Sequence, residues 1–307
     1  MYGRFAPWDG GNNVIRWGSF LTSAAMVVNF WGARQAPAFT TDPGKLNAWL
    51  REHGGYDPNH MVVEPAVATY ARASKVQLSF ELARPGADDA LVQRYLSSGV
   101  PVILGVGSRV DAMTGKSYPN HFVVATGRIQ QGGVQTYTIL DPMFGASTLA
   151  DRWNNQYNGM VVFVGTALDP QVLRFAAERP EVALMLTAPD GRQTGFDVPA
   201  GVWRQQIPDA SYWLQGLASL GDTTNGPFLF GRSLLVPSPD CGAYKVTATT
   251  SQAGPFVLDG VSSRWDAGLA WRTWSTETSS ASSALVTVPA CAAMGIAPRS
   301  SLPLATR

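Results

Sequence analysis

Helical periodicity in this chain of 307 residues is confined to its first hundred positions. Beyond residue 100 the apolar residues come in short β-branched runs between turn residues. Ser19 to Trp31 (SFLTSAAMVVNFW) is apolar almost all round, the mark of a buried helix, and Gly32 stops it. Asp42-Pro43 opens a second helix, GKLNAWLREH, with Leu46, Trp49 and Leu50 on one face and Gly54-Gly55 as terminator. Glu64-Pro65 starts a third, running through Tyr70. Asp88 caps a fourth, in which Leu91, Tyr95 and Leu96 form a stripe before Gly99. The strands expected next are VPVILGVG (100–107), HFVVATGRI (121–129), VQTYTIL (134–140) and MVVFVG (160–165), with QQGG (130–133) as a hairpin loop. Residues 1–167 therefore read as an α+β unit, helices packed on an antiparallel sheet. After Asp169-Pro170 the helix signal disappears. EVALMLTA, VWRQQI, FLFGRSLLVP, AYKVTATT and PFVLDGVS predict an all-β, immunoglobulin-like sandwich over 168–307, ending in a Ser/Ala-rich segment that is expected to be extended or unstructured at its end.

Composition narrows the function classes. A net charge of +1 leaves no electrostatic footprint for nucleic acid or anionic lipid. Charged residues are 15% of the chain, against roughly 25% in an average soluble protein, yet no apolar run reaches the roughly 18 residues of a membrane span. Cys241 and Cys291 are the only cysteines, so residues 1–240 hold no cysteine-ligated metal and no thiol nucleophile. The two lie in a β-rich segment where a disulfide is expected, and with it an oxidising, secreted or cell-surface location. The N-terminus MYGRFAPWDGG lacks a charged region followed by an apolar run, so no signal peptide is expected within this chain. No cofactor and no metal are expected. Asp190 and Asp197 are calcium candidates only as turn aspartates, for which Asp-Gly turn chemistry is a sufficient account.

Three histidines carry the search for a site. His53 sits at a helix end, where the C-terminal dipole suffices to explain it. His60 follows Pro58-Asn59 in a loop and reads as a solvated turn residue. His121 opens the apolar strand NHFVVATG, and Asp141 closes the next one, YTILDP. With the turn centred between 131 and 132, His121 would lie opposite Pro142. Asp141 would then stand within one residue of it, and only a register shift or a bulge puts both side chains on one face. A carboxylate beside an imidazole fixes its tautomer and supports its cationic form, as a base and its orienting partner require. Ser19, at the start of the buried helix, is where backbone N–H groups and the helix dipole would activate a nucleophile. A serine there is otherwise an ordinary N-cap.

The blocks GSFLTSAAMVVNFWG (18–32), PGKLNAWLREHGGYD (43–57), SSGVPVILGVG (97–107), NHFVVATG (120–127) and YTILDPMFGASTLADRW (137–153) resemble, in order, the double-glycine leader-peptidase-like family of papain-like cysteine peptidases. That family reads Gly-Cys-Gly-Pro-Thr-Ser-x-Ala-Met at its nucleophile helix. The resemblance implies a papain-like fold over roughly residues 12–165, with His121 as general base and Asp141 as the residue orienting it. It puts Ser19 at the nucleophile position, where the family has cysteine, and Asn13 where papain-like enzymes place an oxyanion-hole glutamine. Phe20-Leu21 replaces the family's Gly-Pro. The C-terminal part resembles, more loosely, β-sandwich modules of secreted bacterial proteins.

The serine matters physically. A thiol of pKa about 8.5 becomes an anion beside an imidazolium and a helix terminus, whereas a hydroxyl needs concerted deprotonation by a base placed for that purpose. The expectation is a cysteine-peptidase scaffold for an extended peptide, catalytically dead with Ser19, whose sandwich offers a surface for a protein partner. Both a Cys→Ser change and a natural pseudo-peptidase fit. The alternatives are a non-enzymatic secreted peptide-binding or structural protein, and a serine acyl hydrolase using Ser19, His121 and Asp141.

Overall fold

A computed structural model describes residues 7–8, 12–13, 18–56, 61–110, 117–165, 172–177, 179, 181–216, 230–237, 239–250, 252, 254, 256–264, 268–276, 282–290 and 301–303. Its described helices are α1 (Ser19–Gly32), α2 (Pro43–Glu52), α3 (Glu64–Ala73), α4 (Asp89–Ser97) and α5 (Leu149–Trp153). The starts of α2, α4 and α5 follow capping chemistry. The Asp42 carboxylate accepts from Lys45 N–H at 2.9 Å ahead of Pro43, the Asp88 carboxylate accepts from Leu91 N–H at 3.0 Å, and the Thr148 hydroxyl accepts from Asp151 N–H at 3.0 Å. No helix among the described residues is long and apolar enough to cross a membrane.

Two short strands, β1 (Pro7–Trp8) and β2 (Asn12–Asn13), pair with each other near the start of the chain. The main sheet then comprises β3 (Ser79–Pro85), β4 (Val102–Val106), β7 (His121–Gln131), β8 (Val134–Asp141), β9 (Gly145–Thr148) and β10 (Gly159–Val164). A two-stranded ribbon, β5 (Arg109–Val110) and β6 (Ser117–Tyr118), leads into β7. The sheet order is β3-β10-β4-β7-β8-β9, antiparallel throughout. One face packs Phe80, Ile103, Val124 and Phe163 against α1, α2 and α3. The other packs Val102, Leu104, Val123, Ala125 and Ile139 against Val92 of α4 and Leu149 of α5. A sheet covered on both faces needs strands that are apolar on both sides, as VILGV is. Strand β3 escapes the sequence reading because it is an edge strand, paired only with β10, and carries Glu81 and Arg84.

The hairpin β7–β8 differs from the expected register. Its turn is Gly132-Gly133, both with positive φ (58° and 81°), which shifts the centre by one residue from the predicted position. A bulge then falls between Ala125 and Gly127, so pairs run Gly127↔Thr138 but Ala125↔Ile139 and Val124↔Leu140. One step further along that register Asp141 stands beside Val123. It therefore shares a face with His121, two residues away. The required bulge is present.

The second half is entirely strands among the described residues: β11 (Val172–Ala177), β12 (Val182–Thr187), β13 (Gln193–Asp197), β14 (Val202–Gln205), β15 (Ser211–Gly216), β16 (Phe230–Pro237), β17 (Gly242–Thr250), β18 (Phe256–Arg264), β19 (Gly268–Thr276), β20 (Ser282–Ala290) and β21 (Ser301–Pro303). They form sheets of order β15-β16-β11-β18-β19-β21 and β14-β13-β12-β17-β20. One core, with Leu173, Phe175, Leu184, Leu186, Leu234 and Val246, draws on both sheets, so the two lie face to face. The Ser/Ala-rich segment is extended over 282–290, and a strand absent from the sequence reading lies at 172–177. The Ser/Ala-rich stretch 282–290 is a nine-residue strand, because a full ladder with β17 supplies the order that its composition lacks, and Pro289 is tolerated on an edge. VLRFAA is a central strand whose period is disguised by a buried arginine.

That arginine joins the two halves. Arg174 is 1% exposed, and its Nη1 donates to Glu64 Oε2 at 2.6 Å and to the Val62 carbonyl at 3.0 Å, while Nε donates to Ser233 Oγ at 3.0 Å. Val172 and Leu235 belong to the same core as α1–α3. The β-rich half is thus packed into the helical half rather than tethered to it.

Candidate active site

The site is built where β7 begins. Around position 120 two glycine backbones lie close under the side chains of Pro119 and Asn120. A Cβ at Gly105 would come within 2.6 Å of Pro119, and one at Gly107 (φ +70°) would come within 2.0 Å of Asn120 Oδ1. Only glycine allows both. Asn120 N–H donates to the Val106 carbonyl at 3.2 Å, and Val106 pairs with His121, which fixes where the histidine leaves the turn.

His121 is 3% exposed and Asp141 is 2% exposed, and their side chains meet, His121 Nε2 to Asp141 Oδ1, at 3.0 Å. Asp141 accepts more. The N–H groups of Met143 and Phe144 donate to Oδ1 at 2.8 and 3.3 Å, and Trp153 Nε1 donates to Oδ2 at 3.2 Å. Burial pushes the Asp141 carboxyl up, but the hydrogen bonds from His121 and the Met143 N–H, then the His121 charge and the Phe144 N–H, outweigh it and hold the pKa below the usual aspartate value. The Trp153 ring lies 5.3 Å from the imidazole, tilted by 32°. With Nε2 on the carboxylate, Nδ1 is the nitrogen left for a reacting group, and no other described residue bonds it.

Ser19 is half-buried and is the first residue of α1. It is not the N-cap. Gly18 holds that position, and no side chain caps the helix. The ordinary capping role is therefore not what places a serine here, and among the described residues no side chain caps the first turn. One turn on, the Ser23 hydroxyl donates to the Phe122 carbonyl at 3.2 Å, and the Phe20 and Phe122 rings meet edge-on at 5.2 Å. These contacts set the beginning of α1 against Phe122, the residue that follows His121 in β7. No hydrogen bond joins the Ser19 hydroxyl to His121 among the described residues.

Of the four predicted residues, the structure joins His121 to Asp141 and sets the helix turn of Ser19 against the same strand end. The Asn13 backbone is in β2, paired with Pro7, and its side chain lies outside the described part. Sequence reasoning missed Trp153. The Thr148-x-x-Asp151 pattern marks the one-turn helix that carries it, directly after the Asp141 turn, but not the direction of its indole. His53 is the C-cap of α2, its Nδ1 2.8 Å from the Trp49 carbonyl, as a helix-end role requires. His60 lies outside the described residues. Asp190 is paired with Arg192 and Asp197 with Arg204, so an ion pair accounts for each. No group of three candidate metal ligands occurs among the described residues. Cys241 is disulfide-bonded, and the chain's other cysteine, Cys291, is outside the described residues, next to Ala290, which pairs with Gly242. No protein-family model, curated protein or solved structure matches this chain.

Proposed function

We propose that the helical half is a papain-like cysteine-peptidase scaffold that receives an extended peptide, with position 19 as the nucleophile position, His121 as general base and Asp141 as its orienting partner. The carrying observation is the buried His121–Asp141 hydrogen bond, with the carboxylate held by three further donors. So many donors on one buried carboxylate fix its direction, and the imidazole's with it. A base oriented this way is what a thiolate–imidazolium pair needs. Asn13 is assigned the oxyanion position by resemblance alone. With serine at 19 the protein binds peptide without cleaving it. The disulfide at Cys241 supports a secreted or cell-surface setting.

The second reading, a peptide-binding protein in which Ser19 is native and never catalytic, is favoured by the missing hydrogen bond between Ser19 and His121. The two readings separate in Ser19→Cys. The peptidase scaffold predicts that the new thiol is labelled by iodoacetamide well below pH 8, with the label mapped to position 19. Labelling only at the rate of an ordinary exposed thiol favours the binding protein. Stoichiometric reaction of unaltered Ser19 with a fluorophosphonate would instead make the protein a serine acyl hydrolase.

A further inference from the structure

We infer that Ser23 is a positioning residue, whose hydroxyl sets the height of the first turn of α1 along β7 and so the placement of residue 19 relative to His121. The inference rests on the proposed site of Ser19, His121 and Asp141. A serine or threonine inside a helix ordinarily returns its hydroxyl to the carbonyl four residues back. Thr69 does so to Pro65 at 3.2 Å, and Ser98, at a helix end, to Arg94 at 3.0 Å. Ser23 does not. Fully buried, it crosses to the Phe122 carbonyl, 99 residues away in sequence and the next residue after His121. A buried hydroxyl is costly unless bonded, so this partner is the one its place in the core must supply.

The geometry converts that bond into placement. Ser19 precedes Ser23 by four residues, about 6 Å of helix rise, on the same face. His121 precedes Phe122 by about 3.4 Å of strand. The edge-on contact of Phe20 with Phe122 holds the elements together, but it is apolar and tolerates sliding. A hydrogen bond is directional and does not. Without the Ser23 hydroxyl, α1 stays packed and loses its registration with the strand that carries the base.

The test uses the full chain carrying Ser19→Cys, in which the rate of alkylation by iodoacetamide is followed against pH. Adding Ser23→Ala should cut the rate near pH 6.5 by about 5- to 10-fold. It should also move the midpoint of the profile upward while the melting temperature drops by only a few degrees. Ser23→Thr should restore most of the rate. An unchanged midpoint in Ser23→Ala, with the Ser19→Cys thiol activated, overturns the positioning role and leaves the site reading intact. An unactivated thiol in Ser19→Cys alone overturns both. A fall in melting temperature without movement of the midpoint assigns Ser23 to structure only.

Discussion

Asp141 concentrates the chemistry of the site in one carboxylate, because four donors converge on it in a place almost without solvent. Replacing it by alanine strands those donors, and the expected loss of stability at neutral pH is about 2–4 kcal/mol. The pH dependence follows from the sign of the shift. Folding lowers the pKa of Asp141, so its contribution is complete above the unfolded value of about 4 and is lost as the pH falls through the lower folded value. Denaturant unfolding at neutral pH and at about pH 3 should therefore show a large deficit for Asp141→Ala at the first and a smaller one at the second. An equal deficit at both would mean that the aspartate's charge is not what the four donors hold. His121 and Asp141 were legible in the sequence as residues, since each ends or begins an apolar strand. Trp153 was not, because nothing in a one-turn helix announces where an indole N–H will point.

At the level of elements, the hairpin shows what a sequence pattern leaves open. The Gly-Gly turn was visible in QQGG, but the turn centre was one residue off and the bulge before Gly127 had no residue of its own to mark it. Moving the turn centre by one residue shifts each pairing by two and leaves the faces unchanged, so the bulge alone brings Asp141 onto the face of His121, and the pairing depends on a local irregularity that hydrophobic alternation does not encode. The central helices and apolar strands were legible because they are buried on the faces their apolar residues predict. Strand β3 and strand β11 were not, since charges interrupt them at a sheet edge and at the junction between the halves. Gly107 provides the test at this scale. Gly107→Ala should cost about 1–3 kcal/mol, from a positive φ and from the contact with Asn120. In an Asn120→Gly background the cost should fall to about 1 kcal/mol, leaving only the backbone term. Equal costs in both backgrounds, measured by thermal unfolding, would show that Asn120 does not press on this turn.

Across the whole molecule, Arg174 and Glu64 form a buried ion pair between the helical half and the β-rich half, inside a core both halves share. One cooperative transition is therefore expected in calorimetry, and a loss of about 3–5 kcal/mol for Arg174→Ala, which takes the guanidinium away from the buried Glu64 carboxylate. Two resolved transitions in the unaltered protein would show that the halves are separate folding units. The β-rich half also lies, through β15, against β3 and the β5–β6 ribbon that leads into His121. The ribbon that precedes the strand bearing the base is thus contacted from the second half of the chain. What this assembly is for turns on position 19. The described chain has no free cysteine, so Ser19→Cys supplies a single titrating thiol. The most direct measurement is the pH titration of its thiolate by ultraviolet absorbance, with and without His121→Ala. The account predicts a thiol pKa well below the ordinary value of about 8.5 that returns toward it when His121 is removed. A pKa near 8.5 in both proteins would contradict it.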